Sequence, residues 1–352
     1  MSKIYIRTVT YNNEDTIARA IESIINQTHT DWVYYICNNG STDATGDIIE
    51  EYAKKDNRIK TFHNKENRVF TEESNGIWRF WYNFNDDEYL CTLDGDDRYS
   101  LDFMEKTLAF AKEEDLDYVV TSYNFIHPNG KKETASFKDL LVTKENFIEL
   151  LQEFFLLMGA QWGKLYRGDL FRKRAILSKD FRKSLCSTDD AYFTRDTLQN
   201  SARAGFMSYI GYNHYTASKN STFHYNLEPG ALNACNIIHN KSIEMLEAKA
   251  TKVNKEALNF ALNKYCYQLH GVLGAILHNT TNLSNIKKVE LINQVLKYKH
   301  LKQAAENKVG YLSNVLKIIY EFLGELEPRM GNFKQFQQAS NNLNKMIKLA
   351  KK

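Results

Sequence analysis

The chain has 352 residues, of which 43% are hydrophobic and 25% are charged, and its formal net charge is +3. This length and composition suit a globular chain with one large domain, a smaller one and a sizeable buried core. The small net charge does not favour a nucleic-acid partner, and no window approaches the roughly 18 consecutive apolar residues of a membrane span.

Strand and helix patterns alternate in the first third of the chain. Residues 3–10 are predicted to form a strand, and either Asn12 or Asn13 can cap the helix that follows. Later strands are predicted at 32–37, 59–62, 90–93 and 118–121, and helices around Ile48, over 75–83 and around Leu108. The alternation predicts an α/β fold, with a parallel sheet, helices on both faces and ligands at the carboxyl ends of the strands.

Three of these strands end in polar residues that we expect to meet. They are followed by Thr10-Tyr11-Asn12, by Asn38 to Ser41 and by Asp94-Gly95-Asp96. Because the carboxyl ends of parallel strands share one edge of the sheet, these ends point at a single crevice that suits a nucleotide. No G-x-G-x-x-G or Walker A motif occurs, so a glycine loop does not hold a pyrophosphate here.

The strand at 90–93 is followed by an acidic run. Gly95 allows an immediate turn, so that Asp94 and Asp96 can converge on one point. Mg²⁺ and Mn²⁺ take one or two protein carboxylates together with substrate phosphates, and a cation held by Asp96 would neutralise a diphosphate. The alternative interpretation is a solvated acidic turn in which Asp97 caps the next helix.

Three further features follow in the middle of the chain. A hairpin is predicted with its turn at 128–130, and an apolar helix is predicted over 147–158. Asp189 and Asp190 stand at the start of a further helix, where the helix dipole favours carboxylates. Plain helix capping and catalysis are both open interpretations of these two acids.

From about Ala231 the pattern is helical only. Apolar stripes at 286–296 and 309–323 follow a helical period, which favours core between helices over a dimer or membrane-surface face. The basic end around Lys345 to Lys352 is interpreted as a solvated face. We therefore predict two domains, a catalytic domain over 1–230 and a helical domain over 231–352 that positions the acceptor or supports self-association.

Four blocks in the first 225 residues occur in a specific order and spacing. They are Thr10 to Thr28, Asn39 to Asp43, Leu93 to Asp97, and Trp162 to Tyr166 with the later pair Asp189-Asp190. In these blocks the chain resembles the family 2 glycosyltransferases with the GT-A fold. The resemblance implies a Rossmann-like, mostly parallel sheet and an inverting, metal-dependent transfer from a UDP-sugar to a hydroxyl of a glycan or lipid-linked glycan, as in bacterial surface polysaccharide biosynthesis.

The resemblance also implies roles for single residues. Asp190, with Asp189 beside it, would act as the catalytic base, and Trp162 and Lys164 would lie on the acceptor side. The metal, Mn²⁺ or Mg²⁺, would be held by Asp96 and Asp94, with His214 as an additional ligand. The donor-binding set carried over from the resemblance is Val9, Thr10, Tyr11, Asn39, Asn67, Arg68, Arg79, Asp94, Gly95 and Asp96.

The chain departs from the family pattern in the second block. Asn38 and Asn39 stand where the family usually has two aspartates. An amide can pair with the edge of uracil as donor and acceptor, and a different base is the alternative. The competing hypotheses for the whole protein are another nucleotide-dependent transferase and a catalytically silent protein of the same fold that binds a glycan or a partner.

The remaining expectations concern compartment and partners. The five cysteines are odd in number and lack Cys-x-x-Cys spacing, which argues against zinc and disulfide frameworks. No signal peptide is recognisable at the amino terminus, so we expect a cytoplasmic protein whose membrane contact would be peripheral, at the inner face. The helices after Ala231 are the candidates for a homo-oligomer.

Overall fold

The computed structural model describes residues 2–67, 85–154, 159–170, 189–216, 230–278 and 283–351. The chain divides into two compact units. The sheet unit comprises Met1–Lys179 and Phe193–Thr222, and the helical unit comprises Asp180–Tyr192 and Phe223–Lys352. The predicted division into domains over 1–230 and 231–352 remains a prediction.

The first 216 residues hold the strands and five described helices. The strands are β1 (Ile4–Thr10), β2 (Trp32–Asn38), β3 (Ile59–His63), β4 (Tyr89–Thr92), β5 (Arg98–Tyr99), β6 (Tyr118–Ile126), β7 (Lys132–Ala135), β8 (Leu140–Val142), β9 (Lys164–Arg167) and β10 (Ala204–Tyr215). The helices are α1 (Ile17–Ile25), α2 (Thr45–Lys55), α3 (Phe103–Glu113), α4 (Phe147–Phe154) and α5 (Asp189–Asn200). The predicted helix over 75–83 lies outside the described residues.

One sheet contains all of these strands, in the order β3-β2-β1-β4-β9-β6-β10-β5, with β7 beside β6 and β8 beside β10. Its first four strands are parallel, and β6 is parallel to β10. The short strand β9 is antiparallel to both of its neighbours, β4 and β6. The predicted α/β class with a sheet flanked by helices is confirmed, while the antiparallel strand β9 was absent from the prediction.

Burial explains why the first strands and helix form where they do. β1 alternates buried and partly exposed side chains, whereas all four residues of β4 are buried, as expected of a central strand.

The predicted cap of α1 is wrong, because the N-cap is Thr16 and its side chain makes no capping bond. The side chains of Asn12 and Asn13 bond instead to Thr42 and Thr10.

The predicted hairpin is confirmed. β6 and β7 are antiparallel, and the turn between them closes with a bond from the Gly130 amide to the His127 carbonyl oxygen, 2.9 Å long. Gly130 has a φ of +78°, a left-handed conformation that glycine adopts without steric cost.

The helical unit continues with six described helices and its own core. They are α6 (Ala231–Lys249), α7 (Lys255–Leu277), α8 (Asn285–Val295), α9 (Lys299–Glu306), α10 (Leu312–Met330) and α11 (Lys334–Lys351). The predicted apolar stripes are buried in this core, as at Val289, Ile292 and Ile319, each fully buried. Ile286, which begins one stripe, is the exception at 46% exposed. Among the described residues, no helix is both long enough and apolar enough to cross a membrane.

Candidate active site

The carboxyl ends of β2, β1 and β4 lie side by side, as the sequence predicts. Thr10 pairs with Asn38 in the parallel register, and the Asn39 amide donates to the Thr10 carbonyl oxygen at 2.8 Å. On the other side, a Cβ on Gly95 would lie 2.4 Å from Oγ1 of Thr10. Residue 95 is therefore glycine because the turn after β4 passes too close to β1 for any side chain.

An acidic cluster occupies this edge of the sheet. Asp94 is exposed, Asp96 is partly buried and Asp97 is fully buried. Each offers a carboxylate oxygen, and these three atoms lie within 4.8 Å of one another. Closely spaced carboxylate oxygens are the donors that Mg²⁺ and Mn²⁺ prefer, so the residues present fit a divalent cation.

Asp97 has contacts that the sequence analysis did not predict. The alternative interpretation, in which Asp97 caps the next helix, is wrong, since the N-cap of α3 is Asp102. Its Oδ2 atom accepts a bond from the Tyr212 hydroxyl at 2.7 Å and lies 2.9 Å from Nδ1 of His214. Its Oδ1 atom accepts from the Tyr215 amide at 2.7 Å. Asp97 thus ties the acidic turn to β10.

His214, predicted to be an additional metal ligand, lies beside the acidic cluster. Its ring is stacked on Trp162 with centroids 5.3 Å apart, and it meets the edge of Phe125 at 5.7 Å. Burial lowers the pKa of His214, but the hydrogen bond and charge of Asp97, with the charges of Asp94 and Asp96, outweigh it and raise the pKa above its ordinary value. The imidazole is therefore held in a strongly negative environment.

The two predicted acceptor residues differ in their surroundings. Trp162 is stacked on Tyr212 with centroids 4.6 Å apart, so it lies in the same aromatic layer as His214. Lys164 is only 1% exposed, and its Nζ donates to the carbonyl oxygens of Ala160, at 2.6 Å, and Trp162, at 3.2 Å. These bonds hold the segment before β9 in shape, and the acceptor role of both residues remains a prediction.

The loop after β2 is fixed by side-chain amides. Asn39 donates through Nδ2 to Oδ1 of Asn67 at 3.0 Å and accepts through Oδ1 from Asn64 at 2.8 Å. Gly40 has a φ of +77°, and a Cβ there would lie 2.3 Å from the carbonyl carbon of Glu66. This loop therefore packs directly on the segment at 64–67, and the Asn39 amide has a defined orientation.

Arg19 is a cation that the sequence analysis did not single out. Its guanidinium donates to the backbone carbonyl of Asp96 and lies 3.7 Å from the centroid of the Tyr215 ring. It could have been found only by knowing that α1 passes beside the acidic turn. Arg68 and Arg79, predicted to contact the diphosphate, lie outside the described residues.

The predicted catalytic pair begins a helix, as expected. Helix α5 starts at Asp189, and the Asp190 side chain is exposed in its first turn. Both residues belong to the helical unit, whereas the acidic cluster belongs to the sheet unit. Of the other predicted donor residues, Val9 is 39% exposed and Tyr11 is partly exposed.

Comparison with known proteins shows which sequences and folds this chain resembles. Residues 5–173 match the model of Glycosyl transferase family 2. EpsH of Bacillus subtilis (strain 168), provisionally designated a glycosyltransferase, is 33% identical over 189 residues, which are 52% of this chain and 52% of EpsH. TuaG of the same organism, provisionally designated a teichuronic acid biosynthesis glycosyltransferase, is 30% identical over 127 residues, 36% of this chain and 49% of TuaG. The chain thus spans about half the length of these relatives.

Solved structures share this fold at lower sequence identity. TarS residues 1–349 of S. aureus, solved in complex with UDP-GlcNAc, superimposes with a TM-score of 0.62 at 15% identity. The superposition covers 98% of this chain and 92% of the TarS chain. At this identity the likeness concerns the fold, and it includes both the sheet and the helices that follow.

Proposed function

We propose that this chain, which belongs to glycosyl transferase family 2 and has the GT-A fold, transfers a sugar from a UDP-sugar to a hydroxyl of a glycan acceptor, with inversion at the anomeric carbon. The observation that carries the proposal is the acidic cluster at the joined carboxyl ends of β1, β2 and β4. The UDP-GlcNAc complex of TarS, a protein of the same fold, supports the choice of donor.

Asp94 and Asp96 would hold a divalent cation, Mn²⁺ or Mg²⁺, together with His214. When bound, such a cation neutralises the diphosphate and stabilises it as a leaving group. The close approach of Gly95 to Thr10 holds the acidic turn against the end of β1. Arg19, fixed to the Asp96 carbonyl, adds positive charge beside the turn.

The loop after β2 would bind the nucleoside. A side-chain amide carries both donor and acceptor atoms, which match the donors and acceptors on the edge of uracil. The Asn39 amide is oriented for this task by Asn64 and Asn67. In this proposal the donor site also includes the end of β1, at Val9, Thr10 and Tyr11. The proposal keeps the predicted contacts of Arg68 and Arg79 with the diphosphate.

Asp190 would act as the base that removes the proton of the acceptor hydroxyl, with Asp189 beside it. The Asp190 side chain is exposed in the first turn of α5, and the amino-terminal end of a helix favours the charged form of a carboxylate. Trp162 and Lys164 would define the acceptor side. The teichuronic acid designation of TuaG supports a cell-surface polysaccharide as the acceptor class.

Calorimetric titration of UDP, with Mn²⁺ and with chelator, tests the proposal. We expect binding only with the metal, and hydrolysis of one sugar nucleotide from a panel of UDP-, GDP- and CMP-sugars. Asp96→Ala should abolish the metal-dependent binding, whereas Asp102→Asn, which changes an acid outside the cluster that pairs with Lys106, should not.

Two results would contradict the proposal. Indifference to both metal and nucleotide would favour a binding protein of the same fold. Metal-dependent binding of a different nucleotide would favour another transferase.

A further inference from the structure

The three acids of the cluster are not equivalent. Asp94 and Asp96 have accessible carboxylates, but Asp97 has an exposed fraction of 0%. Its two oxygens are engaged by three groups of β10, namely the Tyr212 hydroxyl, His214 Nδ1 and the Tyr215 amide. A carboxylate has about four lone-pair sites in all, so most of the binding capacity of Asp97 is already used inside the protein. Asp97 is therefore poorly suited to be the third metal ligand.

The His214 ring is held from several directions. A carboxylate accepts hydrogen bonds and does not donate them, so the contact with Asp97 places a proton on Nδ1 of His214. Stacking on Trp162, with the planes 12° apart, and the edge contact with Phe125 restrict rotation of the ring. With Nδ1 committed in this way, Nε2 is the ring nitrogen left to bind a ligand.

We infer that Asp97 is a positioning residue that holds His214 in the tautomer and orientation in which Nε2 binds the divalent cation beside Asp94 and Asp96. Histidines that bind metals usually donate their other ring N–H to a carboxylate or carbonyl, which fixes the tautomer. The inference deepens the proposed function and rests on it. It assigns two different tasks to neighbouring acids, ligation to Asp94 and Asp96 and orientation to Asp97.

Mn²⁺ affinity is the first readout, measured by the spin-resonance signal of free Mn²⁺ with and without UDP. Loss of such a supporting partner typically weakens metal binding about 10- to 100-fold, so we expect Asp97→Asn to weaken Mn²⁺ binding by that factor. Asp117→Asn is the matched control, because Asp117 is also buried, at 1% exposed, but bonds to the amides of Ala202 and Arg203 instead. We expect this control to lose stability and to keep its Mn²⁺ affinity.

A double-mutant cycle tests whether Asp97 acts through His214. If it does, the variant with both Asp97→Asn and His214→Gln should bind Mn²⁺ no more weakly than His214→Gln alone. Additive losses would mean that Asp97 contributes to the metal independently of His214, which would overturn the inference. An unchanged Mn²⁺ affinity in Asp97→Asn would overturn it as well.

Nitrogen NMR of the His214 ring provides a readout that needs no metal and no turnover. In the unaltered protein we expect the proton on Nδ1, bonded to Asp97, and in Asp97→Asn we expect this fixed state to be lost. A neutral ring protonated on Nε2 alone in the unaltered protein would overturn the inference, even if Asp97→Asn failed to fold.

The two proposals fail in distinguishable ways. Absence of Mn²⁺-dependent UDP binding in the unaltered protein would remove the proposed function and this inference with it. Normal Mn²⁺–UDP binding in the unaltered protein together with an unaffected Asp97→Asn variant would remove only the inference.

Discussion

Burial and bonding, rather than residue type, distinguish the acids at the end of β4. Asp94 and Asp97 have the same side chain, yet one is exposed and the other is enclosed by partners on β10. An enclosed carboxylate is retained only where hydrogen bonds offset the loss of its hydration. At the residue scale the site therefore combines an exposed acid and a partly buried acid with a third acid that is fully buried.

Asp190→Asn is the substitution that tests the proposed base. The amide has the same shape and cannot take up the proton of the acceptor, so transfer should fall by about 10²- to 10⁴-fold. The fold and the affinity for UDP should be unchanged. Initial rates with the sugar nucleotide identified in the hydrolysis panel, and calorimetry with UDP, measure these two effects.

Asp196→Asn, further along α5, is the matched control and should retain transfer. If the transfer rate falls in Asp189→Asn and is normal in Asp190→Asn, then the base is Asp189 and the assignment to Asp190 is wrong.

The connections of the sheet unit depend on glycine at two kinds of position. Gly40 and Gly130 have nearly the same φ, +77° and +78°, in the left-handed region. A Cβ on Gly130 would meet nothing within 4 Å, whereas one on Gly40 would collide with the backbone of Glu66. At the element scale, conformation alone requires the glycine at 130, and conformation together with packing requires the glycine at 40.

We predict that Gly40→Ala is more damaging than Gly130→Ala. A left-handed alanine costs about 1–2 kcal/mol at either position, but at residue 40 the loop must also move away from Glu66. Since Asn39 lies next to it, UDP affinity should fall as well. Urea unfolding and UDP calorimetry of both variants provide the comparison, and equal effects of the two substitutions would contradict the prediction.

Helix α9 carries a histidine whose protonation should affect the helical unit. The His300 ring lies 4.5 Å from the buried His239 ring, between centroids, and burial lowers the pKa of His300 below its ordinary value despite a hydrogen bond to Gln303. The folded protein then binds fewer protons at this site than the unfolded protein. Its contribution to stability is therefore complete above the ordinary histidine pKa of about 6.5 and declines as the pH falls below that value.

Thermal unfolding as a function of pH measures this effect. We expect the melting temperature of the helical unit to fall on acidification, and to fall less steeply in His300→Gln. His278→Gln, which alters an exposed histidine of the same unit, should leave the slope unchanged. A slope in His300→Gln equal to that of the unaltered protein would exclude His300 as the cause.

At the scale of the whole molecule, the chain groups into a sheet unit and a helical unit. The short segment Asp180–Tyr192, which includes the proposed base, forms one unit with Phe223–Lys352 rather than with the sheet. The acidic cluster and the loop after β2 lie entirely in the sheet unit. The proposed base and the proposed donor residues therefore belong to different units of the chain.

A variant truncated after residue 230 tests this division between the two units. It should keep Mn²⁺-dependent UDP binding, because the donor residues lie in the sheet unit, and it should lose transfer, because the segment with Asp190 loses its packing partners. Full-length Asp190→Asn is the control with the same expected phenotype. Light scattering shows whether self-association is lost too.

Two outcomes would contradict that prediction. Transfer at the full rate would show that the helices after residue 230 are dispensable. Loss of UDP binding in a folded truncated chain would show that donor binding requires them.

The local parts of this structure could be predicted because local sequence patterns report local burial. Alternating apolar residues identified β1, a continuous apolar run identified β4, and a helical period identified the buried faces of α8 and α10. The acidic turn with Gly95 was recognisable because neighbouring residues supply both its acids and its glycine. The meeting of three strand ends also followed, since parallel strands end at one edge.

Only the tertiary structure decided which distant residues complete the site. The partners of Asp97 lie 115 to 118 positions further along the chain. Trp162, just before β9, stacks on His214 of β10. The strand β9 begins with three consecutive buried residues, so no alternating pattern indicated an antiparallel strand there. Such pairings are set by how whole elements pack, a property that no short stretch of sequence contains.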